Sequence, residues 1–334
     1  MHIELNTLHT LKIIQPKYLC YYKYKVGVSM EYVIILILSI LVVYFYLKSI
    51  KKSNYEKGIN NKLEARNKDK TKMFNTDLPE LNTLKSNEYR EILNEFNKIK
   101  TISSIPLGKN ELGELETIDL DKLGNILILG TTGGGKSVLL NELIMSIILN
   151  YTKDEIKFIT IDSSIVELSS FNGIPHYIKD TISDMTVAST ELELIVKEVE
   201  KRKNQESIKE HLFVIIDDIY DLAYGQEKYI NNLLGELMEK SKNTKVHIIV
   251  ATDTPIENEI FKNYSDLFDL KCYLTLAPGT YNEFDKEKTL NQEELNFIST
   301  IGNMILVTND AKRKIKIADI LDEDIKEIVK YYSI

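Results

Sequence analysis

Residues 130–137 read Gly-Thr-Thr-Gly-Gly-Gly-Lys-Ser, a full match to the pattern G-x-x-x-x-G-K-[ST]. Glycine lets a backbone turn so tightly that successive N–H groups point at one anion. The apolar run Asn125–Leu129 leads into this stretch, and a second apolar run begins at Val138. A phosphate-binding loop has to join a buried strand to a helix, and the flanking sequence fits that requirement. We predict that the stretch binds ATP together with Mg²⁺.

The pattern also assigns a task to individual residues of the loop. Lys136 should reach the β- and γ-phosphates, and the Ser137 hydroxyl should ligate Mg²⁺. The helix that follows adds its first N–H groups and the positive end of its dipole. The predicted nucleotide-binding residues are Gly130, Thr131, Thr132, Gly133, Gly134, Gly135, Lys136, Ser137 and Val138.

Acidic residues end two other apolar runs. The run His211–Ile216 is followed by Asp217 and Asp218. We predict that Asp217 is a magnesium ligand beside Ser137, and that Asp218 aligns the attacking water. The alternative for each acid is a cap at a strand–helix turn.

A third apolar run, Val246–Val250, leads to Asp253, which we predict to face the γ-phosphate as a catalytic residue. The alternative for Asp253 is the N-cap of a helix that starts at Pro255.

Apolar runs and amphipathic stretches alternate from about residue 101 onward. The predicted strands are Asn125–Leu129, Lys157–Ile161, Leu212–Ile216, Val246–Val250 and Tyr273–Leu276. The predicted helices are Ser137–Asn150, Met185–Gln205, Gln226–Asn243 and Glu323–Tyr332. This alternation predicts an α/β domain over residues 101–334, with a mostly parallel sheet flanked by helices.

The N-terminal part contains one long uncharged run, Tyr32–Leu47. Its 16 residues span roughly 24 Å as a helix, and interfacial tyrosines with Lys48 extend that length toward the ~30 Å of a bilayer core. A signal-peptide core or a buried strand are the alternatives, but no small-residue cleavage site follows. We predict a transmembrane helix over residues 31–48, after an N-terminal tail over residues 1–30.

Charge sets the expected orientation of this span. Nine Lys or Arg residues lie between Lys48 and Lys72, whereas four Lys residues precede the span. The positive-inside rule then predicts a single-pass protein of the cell membrane with its C-terminal domain in the cytoplasm. Residues 49–100 are polar and predict a linker that is partly helical, near Asn87–Lys100.

The C-terminal domain is acidic. Residues 1–100 carry 17 basic and 10 acidic side chains, which leaves 25 basic and 40 acidic side chains in residues 101–334. This balance argues against a broad nucleic-acid-binding surface and leaves room for a narrow basic lining inside a ring. The two cysteines, Cys20 and Cys272, and the five histidines form no metal-binding pattern, so no metal beyond Mg²⁺ is predicted.

The ordered motifs resemble those of the FtsK/SpoIIIE family of membrane-anchored, hexameric DNA translocases. Besides the phosphate-binding loop, the similar segments are Leu107–Gly113, Phe158–Asp162, Glu167–Ser169, Gly173–His176 and Ile301–Ile305. The resemblance implies a RecA-like domain that assembles into a ring, most simply a hexamer, with ATP at the subunit interfaces.

Several segments depart from the family pattern. Asp162-Ser163-Ser164 stands for Asp-Pro-Lys, and Asp217-Asp218 for Asp-Glu. Asp253-Thr254 stands for Gln-Arg, and Lys271 for Arg. The resemblance therefore implies a short, divergent relative, similar to members found on plasmids and conjugative elements.

These observations predict an ATP-hydrolysing DNA translocase or conjugation-type coupling ATPase at a membrane. Its expected partners are DNA, the membrane, further copies of the chain, and a conjugation or division complex. One alternative is a secretion-type ATPase that moves protein. The other is a scaffold that binds nucleotide and joins a ring but hydrolyses weakly, because Asp218 replaces the family glutamate.

Overall fold

The computed structural model describes residues 39, 84–99, 103–164, 167–205, 208, 210–253, 265–277 and 289–332. The chain divides into two compact units, Met1–Met73 and Phe74–Ile334, and every element below belongs to the second. Among the described residues, no helix combines the length and the apolar character that a membrane crossing needs. The span predicted over residues 31–48 lies outside them, apart from Ser39.

One sheet of nine strands organises the second unit. The strands are β1 (Ser104–Asn110), β2 (Leu115–Asp119), β3 (Ile126–Leu129), β4 (Ile156–Asp162), β5 (His211–Asp217), β6 (Val246–Thr252), β7 (Leu270–Tyr273), β8 (Asn303–Thr308) and β9 (Lys312–Lys316). Their order across the sheet is β2-β1-β9-β8-β7-β3-β6-β5-β4.

The half of the sheet from β7 to β4 is parallel. β3 pairs with β6 on one side and with β7 on the other, and β5 joins β6 to β4. Strands β3 and β6 are buried along their whole length. Parallel strands that helices cover on both faces read as unbroken apolar runs, which explains why the sequence indicated them.

The other half is antiparallel, so the prediction of a mostly parallel sheet is correct for one half only. β7–β8, β8–β9, β9–β1 and β1–β2 all pair antiparallel. Residues 111–114 join β1 to β2 and residues 309–311 join β8 to β9. Connections this short permit only antiparallel neighbours, whereas parallel strands need a crossover.

Seven helices are described, and they form two layers. They are α1 (Asn87–Ile99), α2 (Lys136–Ile148), α3 (Met185–Lys203), α4 (Ile219–Ala223), α5 (Glu227–Ser241), α6 (Gln292–Ile298) and α7 (Asp322–Tyr332). Helices α1, α2 and α7 contribute to one apolar core, and α3 to α6 contribute to a second core on the opposite face. The sheet lies between them.

Helix α1 is part of this folded unit, although the sequence assigned it to the linker. Tyr89 is fully buried in the core that α2 shares, and its hydroxyl lies 3.1 Å from Ser146 Oγ. The buried carboxylate of Asp324 accepts hydrogen bonds from the Lys85 and Ser86 N–H groups at 2.6 and 3.0 Å. The amphipathic pattern near Asn87–Lys100 therefore marks a packed helix.

One predicted strand is displaced. The sequence placed a strand at Tyr273–Leu276, whereas β7 ends at Tyr273. Thr275 lies beyond the ladder, and its carbonyl accepts a hydrogen bond from the Thr131 N–H at 2.9 Å. The apolar residues after Tyr273 support the phosphate-binding loop instead of extending the strand.

Candidate nucleotide site

The stretch 130–137 joins β3 to α2, as the motif requires. Gly133 and Gly135 have φ values of 73° and 102°, which side chains with a Cβ rarely adopt. A Cβ on Gly134 would lie 2.6 Å from the Thr275 carbonyl oxygen and 2.8 Å from that of Thr131. The tight path of this loop therefore requires glycine at these three positions.

The loop is fixed to the strands on both sides of β3. On the β6 side, the Gly130 N–H donates to the Thr252 carbonyl at 3.3 Å. On the β7 side, Thr131 Oγ1 donates to the Thr275 carbonyl at 3.0 Å. Lys136 and Ser137 begin α2, where backbone N–H groups have no partner within the helix and are available to an anion.

Beside the loop lies a cavity of about 490 Å³ with many acidic side chains. Lys136 is the one lysine or arginine among the described residues that line it. The lining consists of Thr131, Thr132, Gly133, Gly135, Lys136, Ser137, Val138, Asp162, Ser163, Ser164, Glu167, Asp217, Asp218, Asp221, Asp253 and Ile301. Six carboxylates beside one ammonium group favour a divalent cation over a bare anion.

Asp217 lies at the C-terminal end of β5, where burial removes it from water. Burial, together with the negative charges of Asp218 and Asp162, raises the pKa of its carboxyl from the ordinary 3.8 to about 7. The ammonium group of Lys136 acts in the opposite direction. A bound Mg²⁺ would relieve this repulsion, because it favours the ionised carboxylate.

Asp218 is the N-cap of α4. Its Oδ1 accepts hydrogen bonds from the Tyr220 N–H and from Thr252 Oγ1, both at 2.9 Å. Its Oδ2 accepts one from the Asp253 N–H at 3.1 Å. Burial raises the pKa of Asp218, and these hydrogen bonds oppose the rise. The carboxylate thus has the capping role that was the alternative for this residue, and it also ties β5 to β6.

Two further acids are engaged within the protein. Asp253 Oδ2 accepts a hydrogen bond from Thr132 Oγ1 at 2.8 Å, so this residue contacts the phosphate-binding loop directly. Asp221 accepts one from Ser163 Oγ. The first contact joins the end of β6 to the loop after β3, and the second joins the end of β4 to α4.

The buried carboxylate of Asp162 organises the loop after β4. Its Oδ1 accepts from the Ser164 N–H at 2.8 Å, and its Oδ2 accepts from the Glu167 and Leu168 N–H groups at 3.2 Å. This arrangement holds Glu167 at the N-terminus of a 3₁₀ turn, Leu168–Phe171.

Most of the residues predicted from the sequence meet in this cavity. Gly130 and Gly134 are the two that do not line it, and a Cβ on either would meet atoms of the segment after β7. The sequence did not indicate Asp221, and Ser163, Ser164 and Ile301 were named only in segments compared with the family. Asp162 and Glu167 entered only through the family resemblance, because their approach to the loop depends on the pairing of β4 with β5.

The residues fit a magnesium–nucleotide complex. Among the described residues, no three His, Cys, Asp or Glu side chains are arranged to hold a metal ion. Mg²⁺ is usually held by one or two protein ligands, with phosphate oxygens and water completing its shell. Ser137 and Asp217, which line the same cavity, would supply such a pair.

Comparison with known proteins agrees with this geometry. The family model described as "FtsK/SpoIIIE family" matches residues 93–259. The DNA translocase FtsK of Leptospira interrogans is 28% identical over 253 residues, which cover 68% of this chain and 26% of that protein. The DNA translocase FtsK of Streptococcus pneumoniae is 26% identical over 262 residues, which cover 70% of this chain and 34% of that protein. The chain thus spans about a quarter to a third of these relatives.

Solved structures with the same fold include a conjugation coupling protein and a pair of ATPase domains. The pCW3 conjugation coupling protein TcpA with ATPγS has a TM-score of 0.54 and 18% identity, over 69% of this chain and 71% of that one. ATPases 2 and 3 of EccC from Thermomonospora curvata, in complex with a signal sequence peptide, have a TM-score of 0.53 and 20% identity, over 66% of this chain and 41% of that one. At these identities the likeness concerns the fold alone.

Proposed function

The chain belongs to the FtsK/SpoIIIE family, and on that basis we propose that it is a membrane-anchored ATPase that hydrolyses ATP to move DNA. The observation that carries the proposal is the shared cavity of the phosphate-binding loop and Asp217. A loop for the phosphates and a carboxylate for the magnesium shell are the two parts that a P-loop ATPase needs. Both come from the C-terminal ends of parallel strands, β3 and β5, which pair with β6 on either side of it.

The strand order places the acidic residues and Ile301 on different sides of β3. Acidic residues follow β4, β5 and β6, which lie on one side of β3, whereas Ile301 precedes β8 on the other side. Ile301 is 65% exposed, an unusual position for a large apolar side chain beside a polar cavity. In our proposal the nucleotide base lies toward Ile301 and Val138, and the γ-phosphate lies toward the carboxylates.

Magnesium neutralises phosphate charge and orients the phosphate chain when it is bound. Ser137 would supply its hydroxyl to the ion, and Asp217 would hold the shell on the opposite side. Lys136 Nζ donates to the Gly130 carbonyl at 3.0 Å and would exchange this acceptor for a phosphate oxygen. Six carboxylates would repel a free nucleotide, so the proposal requires the magnesium complex.

DNA is the cargo that the relatives favour. The curated proteins that match over two thirds of the chain are named DNA translocases, at up to 28% identity. A basic strand, β9, offers no open cationic patch, because its Lys312, Arg313, Lys314 and Lys316 side chains pair with carboxylates at 2.5–3.3 Å. We propose that DNA contacts are confined to a ring interior formed by several copies, as in a hexamer.

Movement of protein is the second candidate. The observation in its favour is the fold shared with EccC, whose structure contains a signal sequence peptide. The membrane anchor at residues 31–48 and a cytoplasmic ATPase domain belong to our proposal for either cargo. A conjugation or division complex at the membrane is the corresponding partner.

A comparison of cargoes tests the proposal. The full-length chain, purified in detergent, should hydrolyse ATP with Mg²⁺ and do so several-fold faster with linear duplex DNA. The Lys136→Ala variant sets the background. Stimulation by a secretion substrate but not by DNA would favour protein transport, and activity at the Lys136→Ala level with both would reject the ATPase.

A further inference from the structure

The carboxylates of the cavity differ in how many protein donors they accept. Asp162 accepts four hydrogen bonds and Asp218 accepts three. Asp221 and Asp253 each accept one from a hydroxyl group. These four acids hold the walls of the cavity together, and at least one oxygen of each accepts a hydrogen bond from a protein donor.

The side chains of Asp217 and Glu167 accept no hydrogen bond and form no ion pair within the described part of the chain. Asp217 ends β5 and is the proposed magnesium ligand. Glu167 lies on the loop after β4, half-buried in the cavity wall, and its N–H donates to Asp162 Oδ2 at 3.2 Å. Its charge is near enough to contribute to the raised pKa of Asp217. The backbone of Glu167 is therefore held at the cavity wall, and its carboxylate oxygens are available to a ligand.

The in-line geometry of phosphoryl transfer restricts where a catalytic carboxylate can lie relative to the γ-phosphate. In phosphoryl transfer the attacking and leaving oxygens lie roughly opposite each other across the γ-phosphorus. With the base toward Ile301, the phosphate chain runs from β3 toward β5 and β4. The attacking water then lies beyond the γ-phosphate, on the side of the sheet where the loop after β4 carries Glu167.

We propose that Glu167 is the catalytic base of this ATPase and that Asp218 is a structural cap. The proposal rests on the ATPase function proposed above. The water oxygen forms a bond to the γ-phosphorus, and the bond from phosphorus to the β–γ bridging oxygen breaks with its electron pair left on ADP. Glu167 accepts one proton from the water and returns it to solvent, so ATP and water give ADP, phosphate and one proton.

The longer side chain of Glu167 suits this task. A general base must come within hydrogen-bond reach of the water, about 2.6–3.2 Å. Asp218 would have to give up the donor of Tyr220, which caps α4, or those of Thr252 and Asp253, which join the end of β5 to that of β6. Glu167 has no such contact to lose.

Steady-state kinetics of four full-length proteins test the assignment: the parent, Glu167→Gln, Asp218→Asn, and Glu239→Gln as a matched control. Glu239 lies exposed on α5, away from the cavity. Glu167→Gln should lower kcat by ~10²-fold or more, the range for loss of a general base, and leave KM within about threefold. Glu239→Gln should match the parent.

Asp218→Asn should lower the melting temperature and keep a kcat well above that of Glu167→Gln. In Glu167→Ala, added formate should restore part of the turnover, because a small carboxylate can enter the vacated space. A Glu167→Gln protein with parental kcat beside an inactive Asp218→Asn protein would overturn the assignment and leave the ATPase function standing. A parent no faster than Lys136→Ala would instead overturn the proposed function, and this assignment with it.

Discussion

Lys136 donates hydrogen bonds to two carbonyls of its own loop, at 3.0 and 3.5 Å, and a phosphate would replace both acceptors. The described part of the cavity offers no second lysine or arginine for this task. Lys136→Ala should therefore abolish binding of a fluorescent ATP analogue in the presence of Mg²⁺. Lys242→Ala, at an exposed position in the turn after α5, is the control and should bind normally. Equal affinity for the Lys136→Ala protein would reject the loop as the nucleotide site.

Asp217 should make magnesium-dependent binding sensitive to pH. Its carboxyl has a pKa of about 7 in the fold, so below pH 7 it holds a proton and cannot serve Mg²⁺. The affinity for the magnesium complex should fall as the pH is lowered from 8 to 6. The Asp217→Asn protein should bind the magnesium complex weakly at both pH values, and its affinity should change less with pH. A parent whose dissociation constant is the same at pH 6 and pH 8 would contradict this account.

The same residue should make the folded protein less stable as the pH rises, whereas the affinity for the magnesium complex increases with pH. Because the pKa is raised from 3.8, the folded state keeps a proton that the unfolded state releases between about pH 4 and 7. Stability contributed by this group therefore falls as pH rises through that window and stays lost above it. Without Mg²⁺ at pH 8, Asp217→Asn should raise the free energy of unfolding by on the order of 2 kcal/mol, measured by urea denaturation.

At the scale of elements, the sequence predicted the strands and helices that have a clear local pattern of apolar residues. The apolar runs of β3, β5 and β6 are unmistakable because both faces of these strands are buried. Strand β9 could not be predicted in this way. Its sequence is Lys-Arg-Lys-Ile-Lys, with Ile315 as the buried side chain, and its cations lie in a strand because Glu88, Glu116 and Glu294 pair with them.

The residues of the site also fall into two groups, those that a local sequence motif identifies and those whose role depends on the fold. The phosphate-binding loop is a continuous motif, so its residues were all predicted from spacing. The roles of Asp218 and Glu167 depend on contacts between strand ends that are 35 or more residues apart, as in the hydrogen bond from the Asp253 N–H to Asp218. A sequence pattern names such acids but does not indicate which of them is already engaged.

Helix α1 should be held by one carboxylate of α7. Asp324 is fully buried and accepts from the Lys85 and Ser86 N–H groups, which open the approach to α1. Asp324→Ala would leave the buried Ser86 N–H and the part-buried Lys85 N–H unpaired and should cost about 2–3 kcal/mol in chemical denaturation. Asp322→Ala, exposed in the same turn of α7, is the control. If both variants lose equal stability, and protease cleaves neither near α1, Asp324 does not anchor the helix.

At the scale of the whole molecule, the membrane anchor is a separate prediction. Deletion of Tyr32–Leu47 should move the protein from the membrane pellet, after a high-salt wash, to the soluble fraction. Its physical reason is the loss of an uncharged run long enough to approach a bilayer core. A variant with Leu and Ile residues of this run scrambled in order is the control and should stay in the pellet. A deletion protein that still sediments would mean that another segment binds the membrane.

The central claim is that ATP hydrolysis at the loop drives movement along DNA. Displacement of a third strand from a triplex at the end of a linear duplex measures such movement directly, because only a protein that travels along the duplex reaches it. The full-length parent should displace the third strand with ATP and Mg²⁺, and not with ATPγS. Lys136→Ala should be inactive. A parent that hydrolyses ATP and binds the duplex, yet leaves the third strand in place at every ATP concentration, would contradict the account.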